Sequence, residues 1–387
     1  MKEVALMKRL FATLLCIIAL VSTVACSAEK PQVTEPTETT QATEPTAAPT
    51  EPTAEVITDE VKAKLDGVLA QYKYEGIVYL THNGKVVYQS VSGTNDMGQP
   101  LTVDSPMFLC SISKQFCATA IVMLRDQGKL SLDDTLGKYF PEYTIGKDIT
   151  LKNLLAMRSG ICVDFLLAVQ NPELYEQKTE ENLNAEMMEW IFSQPLNFEQ
   201  GTKFEYNNVN YILLSYVVEQ VSGMSYEDFI RQNIFQPLGM THSGFVSEIP
   251  QHPLWGLTFD KLLPGSQLGD QPQGCGNIIS TAADLDLWMT ALPSGKLISV
   301  DSYREMTTNY SPEQGIGYGY GLVESIRGGW GHTGGNNGYT SRMFFCPEYG
   351  YNFFIVTNNT PRFNPNLTDM TATIFLRTLF EAVDAAE

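Results

Sequence analysis

Apolar residues at Phe116, Ala120, Met123 and Leu124 fall at i, i+4, i+7 and i+8, which predicts a helix over Ser113–Gln127 with Gly128 closing it. Helical spacing recurs over Thr150–Met157, Glu180–Phe192, Asn210–Val221, Tyr226–Asn233 and Ala282–Leu292. In the last of these, Thr281 and Asp284 supply a T-x-x-D start signal. The two ends of the chain have a different rhythm. "GIVYLTHNGKVVYQSVSG" reads as two strands around an Asn83-Gly84 turn, because both turn residues tolerate positive φ. From Gly317 onward, "YGYGLVESI", "GWGHTG", "YTSRMFFCP" and "NFFIVTNN" are short β-prone runs punctuated by Gly, Asn and Pro. The closing stretch "LTDMTATIFLRTLFEAV" is helical with a broad apolar face. Strands at both ends with helices between predict an α+β fold of two lobes. One antiparallel sheet is built from both chain ends with flanking helices, and a helical lobe is inserted between them. A site then forms at the seam.

The first residues break this pattern. Lys2, Lys8 and Arg9 precede the apolar run "LFATLLCIIALVSTVA", which stops at Cys26. That run is too short to span a bilayer comfortably and fits a secretory signal over residues 1–25. "TVAC" resembles a bacterial lipoprotein cleavage box, with Cys26 as the lipid anchor; secretion without a lipid is the alternative. Residues 26–58 follow as a Thr/Pro/Glu-rich linker in which "TEPT" starts at Thr34, Thr43 and Thr50. Such a segment has almost nothing to bury, so it is expected to stay solvated. Extended, it reaches roughly 90 Å, a spacer length. Residues 59–387 form the domain, and the expected location is extracytoplasmic, held at the cell membrane.

With 25 Lys and Arg against 44 Asp and Glu, the net charge is −19. Without a basic stripe, a chain this acidic is a poor nucleic-acid binder. Of seven cysteines, Cys16 lies in the signal, Cys26 is the anchor and five belong to the domain. Five cannot all pair, and no CxxC or Cys/His cluster suggests zinc. Cys110 and Cys117 would sit about 10 Å apart along a helix, too far for a bridge. Buried thiols are therefore expected. His82, His242 and His252 show no metal-ligand spacing, and no G-x-S-x-G occurs, which disfavours a metallo-hydrolase and an α/β-hydrolase. Neither a metal nor a cofactor is expected.

Three short stretches carry chemistry. In Ser111-Ile112-Ser113-Lys114, the serine and the lysine lie three apart on one helical face. A partly desolvated lysine can act as base for the hydroxyl, and the helix start supplies N–H groups for a developing anion. A plain polar helix start has the same letters. In Tyr206-Asn207-Asn208, a phenol can pass a proton and an amide can orient lysine and substrate, while ordinary capping explains the asparagines equally well. In His332-Thr333-Gly334-Gly335, the glycines let a substrate backbone approach an edge strand, and Gly335 N–H can serve an oxyanion. A Gly-rich bend is the simpler alternative.

The order of the three, S-x-x-K then Y-x-N then H-T-G, resembles the serine β-lactamase and penicillin-binding superfamily. The likeness is nearest to its class C β-lactamase and D,D-carboxypeptidase/esterase branch. "LSLDDTLGKYFPEY", "LKNLLAMRSGI", "YILLSYVVEQVSGMSYEDFI", "IFQPLGMTHSGF", "GCGNIISTAADLDLWM" and "YGYGLV" extend the likeness over roughly Asp59 to Thr357. The resemblance implies Ser111 as acylated nucleophile, Lys114 as its base and Tyr206 as proton shuttle and later activator of water. It also implies that Asn208 positions lysine and substrate, and that His332 and Thr333 bind a substrate carboxylate. Gly334 belongs to the same substrate-binding strand, and Ser111 and Gly335 N–H groups form the oxyanion hole.

One departure matters. A lysine commonly stands at the His332 position in class C β-lactamases, whereas a histidine near its reference pKa is only partly charged at neutrality. Affinity for carboxylate substrates is therefore expected to weaken above neutral pH. Glu180-x-x-Leu183-Asn184 matches the deacylating glutamate spacing of class A enzymes, but it precedes the Y-x-N element instead of following it and reads as a solvated helix face. The expected activity is an acyl-enzyme serine hydrolase acting on D-alanyl peptides, amides or esters. The alternatives are a true class C-type β-lactamase, a small-ester esterase, or a penicillin-binding sensor that does not turn over. The expected partners are a small-molecule or peptidoglycan-peptide substrate and, through the anchor, the membrane; the chain is expected to be a monomer.

Overall fold

Asn83 and Gly84 take φ of +49° and +73°, and this pair of left-handed residues closes the expected hairpin between β1 (Gly76–His82) and β2 (Lys85–Ser92). The computed structural model describes residues 57–162, 188–252, 256–257, 272–336, 338–359 and 366–386. The signal, Cys26 and nearly all of the linker lie outside the described residues, as do Glu180 and Asn184. The described residues all fall in one unit, Pro52–Glu387.

The remaining strands are β3 (Met107–Phe108), β4 (Gly244–Phe245), β5 (Ile278–Ser280), β6 (Val323–Glu324), β7 (Trp330–Asn336), β8 (Tyr339–Cys346) and β9 (Tyr351–Thr357). The helices that position the site are α1 (Asp59–Tyr72), α2 (Lys114–Asp126), α3 (Asn208–Ser222), α4 (Ala282–Ala291) and α5 (Leu367–Ala386). The main sheet has the order β2-β1-β9-β8-β7-β6, with antiparallel neighbours throughout. Ile77 opposite Val356 and Ser341 opposite Val356 set the register. The first hairpin is thus zipped to the last strand, and the α+β architecture made from both chain ends is observed.

Successive side chains on a strand point to opposite faces, and the sheet uses both faces for burial. Val78, Leu80, Phe353 and Ile355 pack with Val61, Leu65, Phe375 and Leu379 of α1 and α5. Ile77, Phe354, Val356 and Met343 belong to the larger core with Phe116, Ile121, Leu213 and Trp288 of the central helices. Thr58 starts α1 by accepting a hydrogen bond from the Val61 N–H at 3.3 Å, and Asp59 and Glu60 add favourable charge to the first turn.

Two expectations change. "YGYGLVESI" contributes only the two-residue β6, because a turn at Gly321 (φ +68°) brings the Gly319 N–H to the Leu322 carbonyl. A second sheet, β3-β5-β4, joins the helical lobe to the Ser111 region; strands of two or three residues leave no alternation to read. Helical residues 188–193 agree with the C-terminal part of the helix expected over Glu180–Phe192, whose first residues lie outside the described set.

Candidate active site

Ser111 sits where β3 runs into α2. The Leu109 N–H donates to the Ile278 carbonyl at 3.0 Å, and Cys110 then adopts φ +51°. Residues Cys110–Ser113 form a single 3-10 turn, and α2 proper begins at Lys114. Residues i and i+3 eclipse in a 3-10 turn, so the serine and lysine side chains meet. Lys114 Nζ lies 3.0 Å from Ser111 Oγ and 3.1 Å from the Cys275 carbonyl oxygen. Lys114 is fully buried, whereas Ser111 is only half-buried. The other hydroxyl of the tetrad is structural: Ser113 Oγ accepts the Ile278 N–H at 3.2 Å.

Tyr206 covers the lysine from above. Nζ stands 4.9 Å from the centroid of its ring, close enough for the ring face to attract a cation. The phenol remains exposed, as a group that exchanges protons with substrate or water must be. Asn207 does the capping: its Oδ1 accepts the Val209 N–H at 3.0 Å, and its Nδ2 donates to the Ile161 and Cys162 carbonyls at 2.8 and 3.1 Å. Asn208 opens α3 and is half-buried. The capping reading thus falls to Asn207, and Asn208 is the first residue of the helix it caps.

The strand β7 forms the far wall. β6 pairs with only its first two residues, Trp330 and Gly331. From His332 on, the outer edge of β7 has no strand partner among the described residues, so an extended substrate can add to it. Thr333 and Gly335 are exposed along this edge. Gly334 is not. A Cβ there would stand 2.1 Å from the Leu109 carbonyl oxygen and 2.4 Å from Ser341 Oγ. Ser341 Oγ itself donates to that same carbonyl at 3.2 Å. The strand is therefore locked onto the Ser111 turn, and the two elements carrying the Ser111 and Gly335 N–H groups meet.

His332 departs from the expected carboxylate clamp. Its side chain is 4 % exposed, packed against Tyr206 (ring centroids 5.9 Å) and Tyr318 (6.0 Å). Burial chiefly, and then the nearby Lys114 charge, lower its pKa to about 3, against the opposing effect of the Thr333 hydrogen bond. Both effects favour the neutral imidazole near neutrality, so the expected charged clamp at His332 has no support in its surroundings. Because the Thr333 carbonyl can only accept, Nδ1 donates to it, and Nε2 carries the lone pair. That nitrogen is buried with no hydrogen-bond partner among the described residues.

Sequence reasoning missed two contributors. The Cys275 carbonyl that holds Lys114 belongs to the backbone and leaves no residue-type signal. Its neighbour Gly274 (φ +78°) is required because a Cβ would meet the Tyr211 carbonyl oxygen at 2.3 Å. Tyr318 packs edge-on against Tyr206 at 6.2 Å; "YGYGLV" marked it as β-prone and as part of the family likeness, without a place in the site. The five domain cysteines are buried, as expected.

Residues 61–374 match the family model described as Beta-lactamase. "Putative penicillin-binding protein PbpX" of Bacillus subtilis (strain 168) is 30% identical over 282 residues, covering 69% of this chain and 66% of that protein. Protein flp of Staphylococcus aureus (strain NCTC 8325 / PS 47) is 23% identical over 341 residues, 81% of this chain and 66% of that one. The chain thus spans just under two thirds of the length of these relatives. Among solved structures, the octameric penicillin-binding protein homologue from Pyrococcus abyssi is 26% identical, with a TM-score of 0.63 over 81% of this chain and 77% of that chain. D-amino acid amidase from Ochrobactrum anthropi SV3 superimposes with a TM-score of 0.68 over 86% and 99% at 21% identity, a likeness of fold.

Proposed function

The chain belongs to the beta-lactamase family, and from that premise we propose that it is a serine hydrolase working through an acyl-enzyme on D-alanyl peptides, amides or esters. The observation that supports this most is the 3.0 Å approach of a fully buried lysine amine to a half-exposed serine hydroxyl. A solvated lysine would gain nothing from that geometry. Lys114 takes the proton as Ser111 Oγ attacks the carbonyl carbon. The N–H groups of Ser111 and Gly335 receive the oxyanion, in a site where such donors are already oriented. Tyr206 returns a proton to the leaving group and then activates water for deacylation. Asn208 orients lysine and substrate, and the open edge from Thr333 to Gly335 holds the substrate backbone. On this reading the enzyme works outside the cytoplasm, tethered through Cys26 by the 26–58 linker.

Intact mass after exposure to a penicillin and to a D-Ala-D-Ala peptide tests the assignment. The expected result is an acyl adduct on the wild-type chain that is absent from Ser111→Ala. An adduct persisting in Ser111→Ala, or none on the wild type with any activated acyl donor, overturns it.

A further inference from the structure

Tyr318 does no chemistry in the mechanism above, yet the Tyr206 side of the site is assembled on its ring. We propose that Tyr318 is a positioning residue: its ring fixes the orientation of the Tyr206 phenol, so that the leaving group receives its proton along a set line. This rests on the serine hydrolase reading above and gives a task to a residue outside the S-x-x-K, Y-x-N and H-T-G stretches.

Tyr206 needs such support, because its side chain is exposed and its ring is held by packing. Lys114 Nζ stands over the ring at 4.9 Å, His332 lies tilted at 44°, and Tyr318 meets it at 82°. The lysine reaches the ring on a flexible stem, whereas an edge-to-face ring pair has a preferred angle and separation. Tyr318 is buried. It also meets His332 edge-to-face at 6.0 Å and Phe204 at 5.3 Å. Phe204 precedes Tyr206 by two residues, so one ring braces that segment at two points. The backbone of Tyr318 is fixed in turn. Its N–H donates to Ser111's distant counterpart in burial, Ser311, at Oγ (2.9 Å), and its carbonyl accepts the Tyr310 N–H at 2.8 Å. Arg158 ties this loop to the Tyr206 segment, donating to the Tyr310 carbonyl at 2.8 Å and to the Gly201 carbonyl at 3.0 Å. The Tyr318 hydroxyl is not the working part. Burial foremost, then the Tyr211 and Tyr206 phenols, push its pKa well above the ordinary phenol value, so it keeps its proton.

The proton balance shows where orientation matters. As the Ser111 Oγ–acyl bond forms, the serine proton passes to Lys114. When an amide C–N bond breaks, the amine leaves with a proton that Tyr206 delivers and Lys114 replaces. A p-nitrophenyl ester releases its phenolate as the anion, and that step draws no proton from Tyr206. A turned phenol therefore slows amides and leaves activated esters nearly untouched.

The test compares kcat/KM, which reports acylation, for the p-nitroanilide and the p-nitrophenyl ester of N-acetyl-D-alanine on the full chain. Tyr318→Leu is expected to lower the anilide value about tenfold or more, the scale of a misplaced reacting group, and the ester value by less than about threefold. Tyr318→Met takes its place should the leucine variant not fold. Equal losses on both substrates overturn the proposal, because a ring that merely supports the fold disturbs them alike. Tyr318→Phe, which removes one oxygen and keeps the ring, is expected to retain both values. An anilide loss of about tenfold in Tyr318→Phe overturns the proposal, since the hydroxyl would then be the working part. In the Tyr206→Phe background, Tyr318→Leu is expected to cost nothing further on the anilide; losses that simply multiply mark independent sites and overturn it. A wild type with no p-nitrophenol burst beyond that of Ser111→Ala fails the hydrolase reading, and this proposal with it. A burst together with equal losses leaves that reading standing and removes only the role of Tyr318.

Discussion

The turn from Leu109 to Lys114 and the strand from Trp330 to Asn336 face each other across the site, and burial acts on them in opposite ways. In the turn, burial concentrates reactivity: Lys114 loses water and receives Ser111 Oγ, the Cys275 carbonyl and the Tyr206 ring instead. In the strand, burial removes charge: His332 loses water, gains one carbonyl partner at Nδ1 and becomes neutral. Two basic side chains a short distance apart thus end with different tasks. The difference comes from burial of the imidazole and from the Lys114 charge beside it, both of which disfavour a second cation.

The turn is broken most directly by Lys114→Met, which keeps the volume and removes the amine. Acylation of Ser111 by a penicillin is expected to slow by about 10³- to 10⁴-fold, the upper range for loss of a proton-transfer group. Thermal stability should hold, since an apolar side chain replaces a buried polar one of similar size. Stopped-flow acylation beside a melting curve checks both; a loss under tenfold removes Lys114 as the base.

The contact between the two regions is broken next by Gly334→Ala. The added methyl group meets the Leu109 carbonyl oxygen at 2.1 Å, backbone that cannot step aside without moving the Ser111 turn. A stability loss of about 3 kcal/mol is expected, together with slower acylation, measured by urea denaturation and by labelling. Unchanged values would mean that β7 and the turn are not interlocked.

The strand is sharpened by acid. His332 has a folded pKa of about 3 against about 6.5 when unfolded. Between these values the unfolded chain binds the extra proton, so stability rises with pH across this window and falls on acidification. From pH 6.5 to 5 the loss is about 2 kcal/mol, at about 1.36 kcal/mol per unit. His332→Gln should lose this slope in urea midpoints taken at the two pH values. An equal slope in the variant would show that His332 is not buried neutral.

Much of this arrangement was legible in the chain. The Asn83-Gly84 hairpin, the stripe beginning at Phe116 and the apolar runs of "NFFIVTNN" follow from local periodicity, which packing then reinforces. Ser111, Lys114, Tyr206 and His332, which the structure brings together, were marked by residue type and order. Gly334 was marked as permissive for a substrate, whereas the structure gives it a second reason, the close approach of Leu109. The β3-β5-β4 sheet and the broken "YGYGLVESI" strand were not legible, because pairs of residues and glycine turns carry no period.

The sequence by itself determined the α+β layout, the Ser111–Lys114 spacing and the family, because these depend on hydrophobic period and on residue types at fixed separations. Only the tertiary structure decided the charge on His332, the carbonyl that holds Lys114 and the open edge of β7. Those properties depend on which backbone oxygens, rings and strand ends meet a side chain after folding, and residues distant in the chain supply them: Cys275 for Lys114, Tyr206 and Tyr318 for His332, and Leu109 for Gly334.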